Sequence, residues 1–302
     1  MIGIFIVVLI SVMSLITFFL FGADKRKAVH HWKRIPERTL LLLCALFGAL
    51  GGLLAMLLFR HKTRKWKFRI LVPVLGLVQL FIAVFLVYVT AYYYADPAAI
   101  SAMQSDNSVR VEATDTGWRF DGPSEDTALI FYPGAKVEAK AYAPLLRRLA
   151  ENGIDSFLVK MPFNLAIFGM NRAGEVLRDA SYSHYYIGGH SLGGAMAAGY
   201  AAKHGDAFDG VILLAAYPTG RLSEDVLLLY GSEDKVVNMD KVKTAEDLIT
   251  GSLTMEEIEG GNHAQFGNYG RQKGDGTAAI SAEEQQVQTV DKIIGWNKEL
   301  IR

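Results

Sequence analysis

The stretch YYIGGHSLGGAMAAGYAAKH at residues 185–204 decides the fold that this sequence predicts. Its first residues are apolar or small and indicate a buried β-strand, and its alanine-rich second half predicts a helix over residues 193–204. The five residues GHSLG join the two, with Ser191 at their centre. A serine flanked by glycines in such a tight turn is typical of a nucleophile with a projecting hydroxyl. The other interpretation is a glycine-rich turn whose serine only caps the helix.

Short apolar strands alternate with helical segments on both sides of this turn. Strands are predicted at 127–132, 154–160, 210–216, 226–230 and 253–258, helices at 139–152, 170–180 and 281–300, and a hairpin at 108–121. This alternation predicts an α/β fold with a mostly parallel sheet that carries helices on both faces. Functional side chains are then expected at the carboxyl ends of the strands.

Two polar residues follow later strands at positions suited to assist the serine. Asp234 comes after the strand at 226–230, and His263 lies in a glycine-rich loop after the strand at 253–258. A serine nucleophile needs a general base and an acid that orients it. We therefore predict Ser191, Asp234 and His263 as the catalytic residues, with Glu233 as the alternative acid. His190 is expected to be structural, with its side chain directed away from the cleft.

An anionic intermediate at Ser191 would need backbone donors. The N–H of Leu192, directly after the nucleophile, is the first predicted donor. The second is expected from the loop at 132–136 that follows the strand at 127–132, with Ala135 favoured and Lys136 next. The sequence has neither paired cysteines nor an H-E-x-x-H motif, so no metal and no cofactor are predicted.

Four segments together resemble one family: YPGAKV at 132–137, KMP at 160–162, the GHSLG turn, and GGNHAQF at 260–266. They are similar to the α/β hydrolases, near the dienelactone-hydrolase and carboxylesterase branch, and the resemblance covers about residues 115–300. The resemblance implies an α/β-hydrolase fold and an activity on ester bonds. Dienelactone hydrolases themselves use a cysteine nucleophile, so that particular activity does not follow for a chain with Ser191.

The substrate side of the predicted site is less defined. Only residues 217–225 separate two of the strands, which leaves no room for a large cap and predicts an open site. Phe163, Phe168 and Tyr217 are candidate contacts for an acyl chain or an aromatic ester. Packing under a loop is the alternative interpretation of these residues.

The two ends of the chain differ in charge and hydropathy. Residues 1–96 carry twelve Lys and Arg against three acids, whereas residues 97–302 carry nineteen against twenty-eight. Apolar runs at 1–22, 39–59 and 70–94 are long enough for membrane helices. We therefore predict a helical membrane domain at 1–96 and an α/β-hydrolase domain at 97–302. The membrane bilayer and a small-molecule, lipid or cell-wall ester are the predicted partners, and nucleic acid is not.

The topology of the membrane domain has two solutions. Loops 23–38 and 60–69 each carry six basic residues, which favours the cytoplasmic side for both. Three full spans would separate the loops, whereas a re-entrant middle segment, with its turn in the glycine-rich centre at 47–52, would keep them together. The second solution places the hydrolase domain on the outer side of a bacterial cell membrane, and we favour it.

Motifs in these loops, such as ADKRKA at 23–28 and RHKT at 60–63, resemble a family of small bacterial membrane proteins of unknown function over residues 15–90. The sequence as a whole predicts a membrane-anchored serine hydrolase that cleaves carboxylic esters through an acyl-enzyme. A catalytically inactive hydrolase fold, used as a binding or sensing module for the membrane part, is the alternative. A third hypothesis makes the membrane part the functional one.

Overall fold

The structure is a computed structural model that describes residues 2–124 and 126–300. It divides into two compact units, Met1–Ala91 and Tyr92–Arg302. The division lies five residues before the predicted one at residue 96, because residues 92–96 join the C-terminal unit. The N–H of Tyr93 donates to the carbonyl of Lys136 at 2.7 Å, and that of Asp96 to the carbonyl of Asn268 at 2.9 Å.

The N-terminal unit is helical. Its helices are α1 (Ile2–Val29), α2 (Glu37–Leu43), α3 (Ala49–Leu58) and α4 (Trp66–Thr90). Three stretches of the described chain, Gly3–Val29, Glu37–Leu58 and Trp66–Thr90, have the length and apolar composition needed to cross a membrane. They correspond to the three predicted apolar runs.

The middle stretch is broken into two short helices. The backbone leaves helical geometry at Leu46 (φ −85°, ψ 51°) and Phe47 (φ 69°, ψ 8°). The side chain of Gln79, in the middle of α4, bonds to the groups that the break releases. Its amide nitrogen donates to the carbonyl of Cys44 at 2.8 Å, and its oxygen accepts the N–H of Ala49 at 3.0 Å. One buried amide thus replaces the helical bonds lost between α2 and α3.

Both ends of this broken segment lie together. The carboxylate of Glu37, at the start of α2, contacts the ammonium groups of Lys62 at 3.0 Å and Lys65 at 2.7 Å, which follow α3. The segment from Glu37 to Leu58 is therefore a helical hairpin that leaves from and returns to one end of the unit. Its turn lies beside the middle of α1, where the hydroxyl of Ser14 is 3.4 Å from the carbonyl of Phe47.

A buried carboxylate joins the two basic loops at that end. Asp24, fully buried near the end of α1, contacts His61 at 2.8 Å, Arg34 at 3.3 Å and Lys62 at 3.4 Å, and it accepts the N–H of Ile35 at 2.9 Å. At the opposite end, a Cβ added to Gly3 would lie 3.0 Å from the Thr90 side chain, so α1 and α4 are antiparallel.

The C-terminal unit is built on eight strands. They are β1 (Arg110–Thr114), β2 (Gly117–Asp121), β3 (Thr127–Tyr132), β4 (Ile154–Val159), β5 (His184–His190), β6 (Gly210–Leu214), β7 (Asp225–Gly231) and β8 (Leu253–Ile258). The helices are α5 (Pro97–Ser101), α6 (Ala143–Glu151), α7 (Ala173–Asp179), α8 (Leu192–Ala201), α9 (Met239–Lys243) and α10 (Ala282–Leu300).

The strands form one sheet in the order β1-β2-β4-β3-β5-β6-β7-β8. Strands β3 to β8 are parallel, and β1 and β2 add an antiparallel edge. The predicted α/β architecture is confirmed, including the short connection of residues 215–224 between β6 and β7 in place of a cap. Helices α5 and α9, of five residues each, were not predicted.

Alternate residues of the central strands feed two cores. Leu129 and Phe131 of β3 pack with α6 and α10 on one face, and Ala128, Ile130 and Tyr132 pack with α7 and α8 on the other. Every residue of β3 is buried, as expected for a parallel strand covered on both faces. The two cores fix the central strands, so their carboxyl ends form a rigid edge.

The hairpin makes a direct prediction for stability. A Cβ added at Gly51 of α3 would lie 1.7 Å from the carbonyl oxygen of Ser14, so Gly51→Ala must push α1 and α3 apart. Overpacking of this kind costs about 1–3 kcal/mol. At Gly76 of α4 the added Cβ would make ordinary contacts, 3.7 Å from Leu50 and Leu53. Gly76→Ala is therefore the matched control.

The measurement is the fraction of detergent-solubilised protein that stays monodisperse after stepwise heating. We expect Gly51→Ala to lose it at a lower temperature than wild type, while Gly76→Ala follows wild type. Equal midpoints for the two variants would contradict the close approach of α1 and α3.

Candidate active site

The turn between β5 and α8 holds Ser191 in a strained backbone conformation. Its φ of 54° and ψ of −125° lie outside the regions that L-residues favour. The glycines on either side leave space for the end of β3. A Cβ at Gly189 would lie 2.4 Å, and one at Gly193 2.2 Å, from the carbonyl oxygen of Tyr132. Only glycine at both places allows the turn to pack so tightly, and the turn presents the Ser191 side chain at the carboxyl edge.

Asp234 and His263 lie together at the same edge. The Nδ1 atom of His263 is 2.8 Å from Oδ2 of Asp234, and both side chains are buried. The second oxygen of Asp234 accepts the N–H groups of Val236 at 2.8 Å and Val237 at 2.9 Å. This carboxylate is therefore fixed on both sides. The predicted alternative, Glu233, makes no such contact with the histidine in the described structure.

The His263 ring lies beside the serine turn. Its centroid is 4.5 Å from that of His190, the residue that precedes Ser191. The three residues predicted as nucleophile, acid and base thus come from the ends of β5, β7 and β8, as the sequence predicts. His190 is buried, and its ring packs against the histidine of the acid–histidine pair.

Two backbone N–H groups near the serine have no acceptor among the described residues. Leu192 is the first residue of α8, where N–H groups lack intrahelical partners. In the loop after β3, the N–H of Gly134 donates to the Tyr142 hydroxyl at 3.1 Å and that of Lys136 to the carbonyl of Asn164 at 2.7 Å. Ala135 lies between them and keeps its N–H unpaired. The geometry therefore disfavours Lys136 as a donor.

One carboxylate near the site was missed from the sequence. Asp275 accepts the N–H groups of His263 at 3.3 Å and Ala264 at 2.9 Å through its two oxygens, and that of Lys235 at 3.4 Å. It thereby connects the loop that carries His263 to the loop that carries Asp234. A single acid in the turn Gly274-Asp275-Gly276 gives no sequence signal for this role, because its partners are backbone groups of distant loops.

The three candidate substrate contacts differ in exposure. Phe163 and Phe168 are about half exposed, at 50% and 51%, and their rings meet edge to face at 5.7 Å. Tyr217 is partly buried against the core on the α8 face. The loop with both phenylalanines is tied to the loop after β3 by the bond from Lys136 to Asn164. In the described chain no group of three or more His, Cys, Asp or Glu side chains could hold a metal ion.

Comparison with known proteins identifies the family of the C-terminal part of the chain. Residues 128–287 match the alpha/beta hydrolase family. The chain belongs to this family. The match spans β3 to the start of α10 and confirms the resemblance predicted from the sequence.

Residues 14–68 match a second family, described as a protein of unknown function (DUF1294). Over 66 residues the chain is 46% identical to the uncharacterized protein YsdA of Bacillus subtilis, which corresponds to 22% of this chain and 74% of that protein. The predicted likeness of the N-terminal part to a family without an assigned function is confirmed.

Several solved structures are similar to the hydrolase unit. A CIB-like hydrolase from Thermoplasma acidophilum is 20% identical, with 62% of this chain and 99% of that chain covered and a TM-score of 0.46. Dienelactone hydrolase from Anabaena variabilis is 13% identical, with 64% of this chain and 99% of that chain covered and a TM-score of 0.49. Carboxylesterase CesB from Bacillus subtilis is 10% identical, with 65% of this chain and 93% of that chain covered and a TM-score of 0.46.

Proposed function

We propose that this member of the alpha/beta hydrolase family is a membrane-anchored serine hydrolase that cleaves carboxylic esters. The observation that carries the proposal is the buried pair of Asp234 and His263 beside the strained turn of Ser191. A buried carboxylate at Nδ1 leaves Nε2 of the imidazole as the basic nitrogen. Strained backbone at a serine between two glycines is the geometry of an exposed nucleophile.

In the proposed reaction, Oγ of Ser191 attacks the ester carbonyl while Nε2 of His263 takes the hydroxyl proton. The carbonyl oxygen becomes an oxyanion that accepts the N–H groups of Leu192 and Ala135. The intermediate collapses, the C–O bond to the alcohol breaks, and His263 returns its proton to the leaving oxygen. Water, deprotonated by the same histidine, then attacks the acyl carbon, the bond to Oγ of Ser191 breaks, and His263 returns the proton to Oγ as the acid leaves. Asp234 keeps the ring oriented and stabilises its charged form.

Labelling with a fluorophosphonate probe tests the nucleophile. We expect the wild-type chain to be labelled covalently, Ser191→Ala to lose labelling, and Asp234→Asn to react about 10²–10⁴-fold more slowly because the base is then badly oriented. Ser183→Ala, which removes another exposed serine hydroxyl, is the control and should label like wild type. A wild-type chain that stays unlabelled would favour the inactive binding module, and unchanged labelling of Ser191→Ala would exclude this serine.

We further propose that the ester carries an apolar acyl chain or aromatic ring. The supporting observation is a set of exposed apolar side chains on loops that follow strands on either side of β5. Phe163, Ile167 and Phe168 follow β4 and are 50%, 60% and 51% exposed, and Val236 follows β7 and is 38% exposed. Water-exposed apolar surface at the edge of a site favours a ligand that covers it. We call these four residues the apolar rim.

Esters of increasing acyl length test the apolar rim. Phe168→Ser should lower kcat/KM for long acyl chains about tenfold and leave short esters unchanged, since a buried phenylalanine contributes about 1.5–3 kcal/mol. Val287→Ser, at a similarly exposed apolar residue on α10, is the matched control. An equal loss for all chain lengths would show that Phe168 does not bind the acyl group.

We also propose that the hydrolase unit lies on the outer side of the membrane. Asp24 brings the two basic loops, 23–38 and 60–69, to one end of the N-terminal unit through its contacts with Arg34 and His61, and the positive-inside rule favours the cytoplasm for that end. The hairpin from Glu37 to Leu58 returns to the same end, so only α1 and α4 cross fully. The chain then leaves α4 on the opposite side.

Single cysteines in a Cys44→Ala background test this topology in intact cells with an impermeant maleimide. Ser105→Cys and Lys203→Cys, both exposed in the hydrolase unit, should label before lysis. Lys33→Cys and Arg64→Cys, one in each basic loop, should label only after lysis. Three full spans would instead expose one loop cysteine and protect the other, and protection of residues 105 and 203 would overturn the outer placement.

A further inference from the structure

His190 and Tyr142 form a buried polar pair beside the proposed catalytic residues. Nδ1 of His190 is 2.8 Å from the hydroxyl oxygen of Tyr142, and the same oxygen is 3.1 Å from the backbone nitrogen of Gly134. Both side chains are shielded from solvent, at 1% and 0% exposure. The pair therefore links the residue before the nucleophile to the loop that carries Ala135.

The chemistry of the three groups fixes the direction of the hydrogen bond from Gly134 and favours one direction for the bond between Tyr142 and His190. The N–H of Gly134 can only donate, so the Tyr142 oxygen accepts it. The hydroxyl proton is then used when Nδ1 of His190 is the unprotonated nitrogen and accepts it. In this arrangement His190 is neutral and carries its proton on Nε2. Burial supports this state, because it lowers the pKa of His190 well below the ordinary value, and the nearby His263 lowers that pKa further.

The ring of His190 also contacts the general base. Its centroid lies 4.5 Å from that of His263 and 5.7 Å from that of Phe266. Nε2 of His190 has no hydrogen-bond partner of normal geometry within residues 2–124 and 126–300.

Gly134 fits closely against the pair. A Cβ at this residue would lie 2.7 Å from the Tyr142 hydroxyl and 2.8 Å from Nδ1 of His190. The peptide of Gly134 is therefore held by contact as well as by its hydrogen bond. On the other side of Ala135, the N–H of Lys136 is fixed by Asn164. The unpaired N–H of Ala135 lies between two anchored peptides.

We infer that Tyr142 and His190 are positioning residues that set the N–H of Ala135 and the ring of His263 for the same reaction. The inference rests on the proposed function, because it assigns these residues to the oxyanion donor and the base of that site. Neither residue touches the ester. Tyr142 acts through the peptide of Gly134, and His190 acts through ring contact with His263 and as the acceptor for Tyr142.

Neutrality of His190 is part of this role. During the reaction His263 becomes an imidazolium ion, and a second cationic ring 4.5 Å away would oppose that charge. The Tyr142 hydroxyl keeps Nδ1 of His190 occupied as an acceptor and thereby favours the uncharged ring. Tyr142 therefore supports the oxyanion donor by holding the loop after β3. His190 supports the base because an uncharged ring does not repel the imidazolium ion of His263.

Removal of the Tyr142 hydroxyl tests the inference. In Tyr142→Phe the Gly134 peptide loses its acceptor, and we expect kcat to fall about tenfold with KM within twofold of wild type, a fraction of the 10²–10³ lost when a whole oxyanion donor is removed. Tyr186→Phe is the matched control. It removes another buried hydroxyl, bonded to Asn297 at 2.7 Å, from the same core, and kcat should not change.

A second readout separates positioning from folding. Ester and thionoester pairs of the same substrate differ in the acceptor that enters the oxyanion site, and sulfur accepts hydrogen bonds weakly. We expect the wild-type chain to prefer the ester strongly and Tyr142→Phe to show a preference about tenfold smaller. If Tyr142→Phe and Tyr186→Phe lower the unfolding midpoint alike and leave both kcat and this preference unchanged, Tyr142 is only structural and the inference is wrong.

This outcome is distinct from failure of the proposed function. If the wild-type chain is not labelled in the fluorophosphonate experiment, the proposed hydrolase reaction itself is contradicted. If the wild-type chain is labelled and Tyr142→Phe reacts at the same rate, Ser191 remains the nucleophile. Only the positioning role of Tyr142 and His190 is then contradicted.

Discussion

The serine turn of the hydrolase unit depends on one close approach, in which the last carbonyl of β3 lies against the two glycines that flank Ser191. Atoms of a side chain at either glycine would lie within 2.4 Å of the Tyr132 oxygen. Because β3 and β5 are neighbours in the sheet, this contact fixes where β5 ends and where α8 begins. The positive φ of Ser191, the free N–H of Leu192 and the nearness of the loop after β3 all follow from it. The site is therefore a product of strand spacing at one point of the sheet.

The sequence predicts the elements that depend on local pattern. Strand Thr127–Tyr132 occurs at its predicted residues, because a nearly continuous apolar run between turn residues specifies a buried strand, and Leu253–Ile258 also occurs where it was predicted. The capping pattern at Ser281 and Glu284 is also present, with the Ser281 N–H bonded to the carboxylate at 2.7 Å. Helices α5 and α9 escape prediction, since five residues are too few to show a helical period.

Contacts between residues that are distant in the chain cannot be predicted from the local sequence pattern. Tyr142 lies directly before α6 and is buried in the core, yet its hydroxyl bonds to a histidine 48 residues away. Gln79 is one polar residue in an apolar run, and nothing in the run indicates that it bonds to both ends of a broken helix. The choice of Asp234 over Glu233 likewise depends on two backbone N–H groups that turn the carboxylate toward His263. In each case the decisive partner is a backbone group or side chain from another element.

The carboxylate of Asp24 has a consequence for synthesis of the membrane unit. Two of its partners, His61 and Lys62, follow it by 37 and 38 residues, so α1 is complete well before they exist. An unpaired acid near the end of an apolar helix opposes deep insertion of that end. The full set of contacts around Asp24 therefore forms only after the second basic loop has been synthesised, and the contacts of Gln79 with the hairpin form later still.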